Sequence, residues 1–317
     1  MQIGYHASHE QFAPSRLVEL AVQAEAAGFD CIKSSDHFHP WSDRQGQSGF
    51  AWSWLGAAMA RTTVPFGTIT APGYRYHPAI VAQAAATLGE MFPNRFWVAI
   101  GSGENVNESI TGLPWPEKAE RNRRLGECAT VIRQLFSGET VTHRGRIDVI
   151  EARLYSRPAR PVPIIGAAVT AATARFVASW ADGLLTTGTG PQSASRTIAA
   201  YREAGGPGPV YVQHALSWAE TEDAAWHDAI EQWGPVSAGG DINWDLRRPA
   251  DFDQIATHAT RKQVAGCVSV SSELDRHAEI IAGYAELGVD GVYLHNVGTN
   301  QEAFVEAFGR RVLPALR

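Results

Sequence analysis

The feature that most constrains this chain is a recurrence. Short β-prone runs return along its length, and most lead into a segment whose apolar residues have helical spacing. "QIGYHA" leads to "SRLVELAVQAEAAGF", and "CIKSS" comes next. "VPFGTITA" precedes "PAIVAQAAATLGEMF", and "FWVAIGSG" precedes the long segment around "RNRRLGECATVIRQLF". "VPIIGAA" precedes "TAATARFVASWA", and "GLLTTG" precedes "PQSASRTIAAYREAG". "VYVQHALSWA" and then "GVYLHNVG", followed by "NQEAFVEAFGRRVL", complete the set. Alternation of this kind favours parallel strands, because each parallel pair needs a crossover on which a helix can pack. Eight such strands in 317 residues predict an α/β fold, a (β/α)8 TIM barrel. An open doubly wound sheet is the alternative, but no G-x-G-x-x-G follows the first strand.

Local signals mark the boundaries. Ser15 stands as an N-cap candidate and Gly28 as a helix stop, and Pro78 and Pro191 fall where a first helical turn starts. Residues 137–160, rich in charge and proline, and residues 234–272 break the alternation. Both read as insertions in a single barrel domain covering residues 1–317.

The balance of residues narrows the function classes. A net charge of -6 offers no basic field for gripping nucleic acid, and 44% apolar with 19% charged residues describes a globular chain. No uncharged apolar run approaches the roughly 18 residues of a membrane span, and the first residues lack a secretory pattern. Cys31, Cys128 and Cys267 lie far apart and are odd in number, which gives neither a disulfide framework nor a C-x-x-C site. A reducing cytoplasm and a small-molecule substrate are the expectation.

Barrel enzymes carry their chemistry on the loops after the strands. The stretch "SSDHFHPWSDRQGQSGFAWSW", residues 34–54, follows the second strand and packs histidines, aspartates and tryptophans together. Other strand ends offer His6 and Glu10, "GSGE" with Glu104, "GAA", Thr186 and Thr187, and His295 with Asn296. A carboxylate beside a histidine orients the ring and raises its basicity, and a second carboxylate elsewhere allows a separate proton donor. Each signal also has a plainer reading: a strand-end hydrogen-bond pair for "DH", a turn for "GSGE", helix packing for "GAA". Trp52 and Trp54 either belong to the site or plug one end of the barrel. His37 and His39 form an H-x-H pair, which a metal site would need to complete from later strands.

Taken together, "HASHEQFAP", "SDHFHPW", "GYRYHPAIVAQAAATLGEMFPNRFWVAIGSGENVNE" and "LGVDGVYLHNVG" resemble the luciferase-like oxidoreductases. Within them they are similar to the branch of F420-dependent glucose-6-phosphate dehydrogenases. The resemblance runs over nearly the whole chain and is stronger through about residue 136. It implies a barrel with a flavin or deazaflavin at its mouth, and a homodimer. His37 would accept the substrate's hydroxyl proton, Glu10 would assist it, Trp41 would wall the site, and Glu104 would be the acid near the ring. Asp36, Gly101, Ser102, Gly103 and Thr187 would contact the cofactor. A cis peptide between Thr68 and Ile69 would lie behind the ring, and Gly166, Ala167 and Ala168 would bind a phosphate.

The departures concern the substrate. Gly190 stands where the sugar-phosphate enzymes carry a lysine, "GPVSAGGDINWD" has no counterpart to a second lysine, and a late arginine aligns near Cys267. His6 replaces a further lysine. Glucose 6-phosphate is therefore not the expected substrate, with Arg75 and Arg261 as the cations that could compensate. The cofactor is FMN or F420. A presumed FMN-dependent sister group shares these motifs and inclines the balance to FMN, whereas "RNRR" could meet F420's acidic tail or be a solvated helix face. The expected activity is hydride removal from an alcohol or hemiacetal carbon. The alternatives are a reduced-FMN-dependent monooxygenase and a non-catalytic flavin-binding protein, against which Asp36, His37 and Glu104 together argue.

Overall fold

The computed structural model describes residues 1–240 and 242–317. Its strands are β1 (Gln2–Ala7), β2 (Cys31–Ser35), β3 (Phe66–Thr70), β4 (Phe96–Ile100), β5 (Val141–Arg144), β6 (Asp148–Ala152), β7 (Ile164–Ala167), β8 (Gly183–Gly188), β9 (Val210–Ser217), β10 (Ser269–Val270) and β11 (Gly291–Asn296). The order β9-β11-β1-β2-β3-β4-β7-β8 returns to β9, so eight parallel strands close into the expected barrel. All eight sequence-read strands are present.

The pleat decides what faces the lumen. Gly4, Cys31, Gly67, Trp97, Tyr211 and Tyr293 share the lower interior. A side-chain carbon on Gly67 would lie 2.1 Å from the Trp97 ring, and one on Gly4 2.5 Å from Tyr293, so only glycine fits. Trp97 stacks on Tyr211 with centroids 5.0 Å apart and Tyr293 meets both edge-on. These aromatics plug the lower end. Trp54 instead packs outside the sheet, against His9 and Phe66, and Trp52 against Phe96.

Several boundary signals hold. Pro78 and Pro191 begin the helices Pro78–Met91 and Pro191–Glu203, and Gly28 takes a left-handed φ of 96° just after the helix Pro14–Ala26. Ser15 is not a cap: Pro14 opens that helix, and Ala13 before it makes no side-chain cap bond. Within 137–160 the chain forms the antiparallel hairpin of β5 and β6. Within 234–272 it forms the short helices Ile242–Asp245, Pro249–Ala256 and Arg261–Ala265, then β10, which pairs with β9; residue 241 lies outside the described residues. The three cysteines are free. Among the described residues no helix is long and apolar enough to cross a membrane.

Candidate active site

The carboxyl ends of β1 and β2 bring Glu10 and His37 together. Glu10 Oε1 lies 2.9 Å from His37 Nδ1, with their side chains 4% and 12% exposed. The other Glu10 oxygen accepts hydrogen bonds from Ser8 Oγ and Ser35 Oγ, each at 2.9 Å. Burial alone would raise the Glu10 pKa, but the His37 charge and contact and the Ser35 hydrogen bond hold it well below the ordinary carboxylate range. Burial likewise disfavours charge on His37, but Glu10's charge and contact, aided by Glu104, raise its pKa above the usual value. With Nδ1 facing Glu10, Nε2 is the nitrogen left for the cavity. Trp41 meets the imidazole edge-on, centroids 5.1 Å apart, and rests in turn on Phe252 of the second inserted stretch. Ser48 Oγ donates to the His37 carbonyl at 2.8 Å, which pins the loop.

His37 and His39 part ways despite their spacing. The His39 ring contacts the Val106 carbonyl through Nδ1 at 2.7 Å, and Asn107 Oδ1 accepts from the Phe38 and His39 amides. Among the described residues no group of three or more metal-binding side chains is assembled.

Behind this pair lies a second buried network that sequence reasoning missed. The Asp36 side chain is fully buried; Thr70 Oγ1 donates to it at 2.7 Å and the Tyr76 hydroxyl at 3.2 Å, with Arg75 Nη1 3.5 Å away. Arg75 also donates to the Asp36 carbonyl, stacks on Tyr76, and sits 3.6 Å from buried Glu108. Burial pushes Glu108 up to about 7 against the opposing pull of Arg75. Arg75, named as a compensating cation, is thus enclosed by two carboxylates. Arg261 is exposed and stacks over Trp226. Asp36, expected at the cofactor, has its carboxylate committed to this network.

The expected cis bond is absent, since among the described residues every peptide is trans. Thr68 and Ile69 lie in an unbroken parallel ladder, paired with Ser34 and Ser35 on one side and Val98 and Ala99 on the other. Extended trans backbone satisfies that ladder, whereas a non-proline cis bond costs about 2.5–4 kcal/mol. The pleat also turns Thr68 outward, where Ser34 Oγ donates to its hydroxyl at 2.9 Å. Only Ile69 of the two packs with the lumen residues.

The opposite wall is plain. Gly101, just past β4, lies beside Ala167 of β7, and a carbon added to Gly101 would meet only Ala167 within contact, at 3.5 Å. Gly103 takes φ 77°, and Thr187 is exposed. Ser102 Oγ contacts Lys118 Nζ at 2.8 Å. Glu104 is half-buried beside the mouth. Gly166 faces the helix Ala171–Val177, where a side chain would lie 2.5 Å from Val177, and the Ala168 amide donates to Leu185. A phosphate held here would use amides beyond Ala168. In "RNRR", Arg121 is buried over Trp115 and Arg124 donates to two carbonyls, so only Arg123 belongs to a solvated face.

The family model for luciferase-like monooxygenase matches residues 1–291, and the chain belongs to this family. It is 36% identical to a protein of Microbacterium testaceum and 37% identical to one of Nakamurella multipartita, both named F420-dependent glucose-6-phosphate dehydrogenase. Each comparison covers 100% of this chain and 98% or 97% of the relative. A solved F420-dependent secondary alcohol dehydrogenase, bound to an F420–acetone adduct, is 30% identical with a TM-score of 0.91, covering 100% of this chain and 99% of that one. The lean towards FMN finds no support in these relatives. The family and its named dehydrogenases make the chain an oxidoreductase.

Proposed function

We propose that this chain is an F420-dependent alcohol dehydrogenase that removes a hydride from the carbinol carbon of an uncharged secondary alcohol or hemiacetal. The observation that carries it is the His37–Glu10 pair, 2.9 Å apart, at the mouth of a barrel whose relatives are named F420-dependent dehydrogenases. The residues fit a flat tricyclic ring. Gly101 and Ala167 leave one wall without bulk, and Ile69 and Leu185 give an apolar surface beneath. F420, when bound, supplies the hydride acceptor.

His37 accepts the hydroxyl proton at Nε2 while the hydride leaves carbon, so neither a full carbocation nor a full alkoxide builds up. A base so placed contributes about 10²–10⁴-fold. Glu10 fixes the ring and stabilises the imidazolium that forms. Trp41 excludes water from one side of the imidazole, and Glu104 is the second proton-handling group at the mouth. The absence of lysine at Gly190 and the enclosure of Arg75 argue against an anionic phosphate substrate.

The test is anaerobic. Purified protein is titrated with F420 and, separately, with FMN, then mixed with secondary alcohols, free hexoses and glucose 6-phosphate while the deazaflavin absorbance is followed. F420 bound at micromolar levels and bleached by an uncharged alcohol is the expected result. Preferential FMN binding, with substrate oxygenation once the flavin is reduced and oxygen admitted, would instead establish a monooxygenase.

A further inference from the structure

The second inserted stretch reaches back to the loop that carries His37, and it does so through two adjacent residues. From Asp36 to Phe50 the chain after β2 runs without helix or strand, so side chains from elsewhere must fix it. Trp41 stands in this run between two rings. His37 meets the indole edge-on at 5.1 Å and 76°, and Phe252 does so at 5.4 Å and 75°. Phe252 is fully buried. The next residue, Asp253, takes the three residues that follow Trp41. Ser42 Oγ donates to one carboxylate oxygen at 2.9 Å, the Asp43 amide donates to the other at 2.9 Å, and Arg44 Nε lies 3.3 Å away. Successive residues of a helix point about 100° apart, so the helix Pro249–Ala256 presses one side chain on the ring and turns the next along the loop.

An exposed ion pair contributes little to holding a loop. Asp253 is not of that kind: its side chain is 21% exposed, and its partners are three consecutive residues rather than one cation. Ser42 among them is fully buried. On the other flank Gln45 Oε1 accepts from the Trp41 amide at 3.0 Å, and Gln45 Nε2 donates to the Gln232 carbonyl at 3.3 Å. The Trp41 backbone is thus tied to the helix Glu222–Trp233, while Phe252 backs its ring.

We propose that Phe252 and Asp253 are positioning residues that hold Trp41 against His37 and, through the indole, set how large a group beside the carbinol carbon the pocket admits. This rests on the reading of His37 as the base of an alcohol dehydrogenase. The imidazole must meet the substrate hydroxyl, so a ring kept beside it borders the substrate. Phe252 limits how far the indole retreats, and Asp253 limits how far the loop carrying it slides. A smaller residue at position 252 gives the indole room to withdraw, and the pocket widens on that side. The substrate class that the parent arrangement favours is a secondary alcohol with small alkyl groups.

Two readouts on the full-length protein test this. The ten tryptophans are replaced by 5-fluorotryptophan, and the Trp41 signal is assigned in the 19F spectrum through Trp41→Phe. In Phe252→Leu and in Asp253→Ala that signal shifts or broadens. Asp253→Asn keeps an acceptor for Ser42 and the Asp43 amide, so its signal stays nearer the parent. A Trp41 signal unmoved in both folded variants overturns the positioning role. The second readout is kcat/KM with F420 for 2-propanol and for cyclohexanol. Phe252→Leu raises the cyclohexanol-to-2-propanol ratio by roughly tenfold, the scale of one methylene's room in an apolar pocket. A displaced Trp41 with an unchanged ratio overturns the control of size. Should no form oxidise either alcohol while the Trp41 signal moves, the alcohol reading fails and the size control with it, but the positioning of Trp41 stands, so the two readings fail separately.

Discussion

On one side of the barrel lumen, β1, β2 and the residue just past β1 present His6, Ser8, Lys33 and Ser35; across it, β4, β7, β8 and the residue just past β4 present Ala99, Gly101, Ile165, Ala167 and Leu185. The first wall carries groups that bind and release protons, and its two serines donate to one buried carboxylate, Glu10. The second carries almost no polar atoms and little bulk. Burial makes each proton on the first wall expensive to misplace, which suits a base that must be empty before the reaction and full after it. The second wall suits a ring that has only to be located. Proton management and ring seating are therefore separate, and each can be damaged without the other.

The largest break comes at the proton wall. His37→Gln keeps an amide that can donate to Glu10, so the buried carboxylate is not left bare, but it cannot accept a proton. Turnover is expected to fall by about 10²–10⁴-fold while F420 affinity stays within a few-fold. Steady-state rates and a binding titration on the same preparation decide this. Lost affinity with retained turnover would show that the ring leans on the proton wall.

The plain wall gives the converse. Gly101 has open space before it apart from Ala167, and its φ is not left-handed, so valine there folds and fills the slot. Gly101→Val is expected to weaken F420 binding by at least about tenfold, or about 1.4 kcal/mol, without moving the His37 midpoint. Calorimetry and an NMR titration of 15N-labelled histidine provide the two readouts. A moved midpoint would mean that the two walls communicate.

How far this division could be read beforehand depends on the distance between cause and residue. The eight barrel strands were legible because each β-prone run is followed by its own helix. The β5–β6 hairpin was not, since its residues alternate over only a few positions among charges and prolines. His37, Glu10 and Glu104 stood out in the sequence because strand-end loops advertise polar chemistry, and the fold brings His37 and Glu10 to 2.9 Å. Lys33 was passed over because a lysine inside "CIKSS" looks like a solvent-facing position. The closed barrel reverses this, turning Cys31, Lys33 and Ser35 inward and Ile32 and Ser34 outward. Thr68 failed for the same reason in the opposite sense. Asp36 and Arg75 needed knowledge of which loops meet, which no local pattern contains.

The smallest effect tests whether the proton wall stores instability. Lys33 has an ordinary pKa of 10.5 when unfolded and about 7 when folded, lowered chiefly by burial. Between these values the unfolded chain binds a proton that the folded chain lacks, so this residue makes stability rise with pH there, by at most about 1.4 kcal/mol per unit. Below about 7 both states are protonated and the penalty is present in full. Lys33→Met removes a buried charge in favour of an apolar chain of similar length, so it is expected to be more stable than the parent near neutrality. That gap should close as pH rises towards 10. Urea unfolding of both proteins from pH 6 to 10 measures it. A gap independent of pH would show that Lys33 keeps its proton throughout, with Glu10 answering its charge far better than burial opposes it.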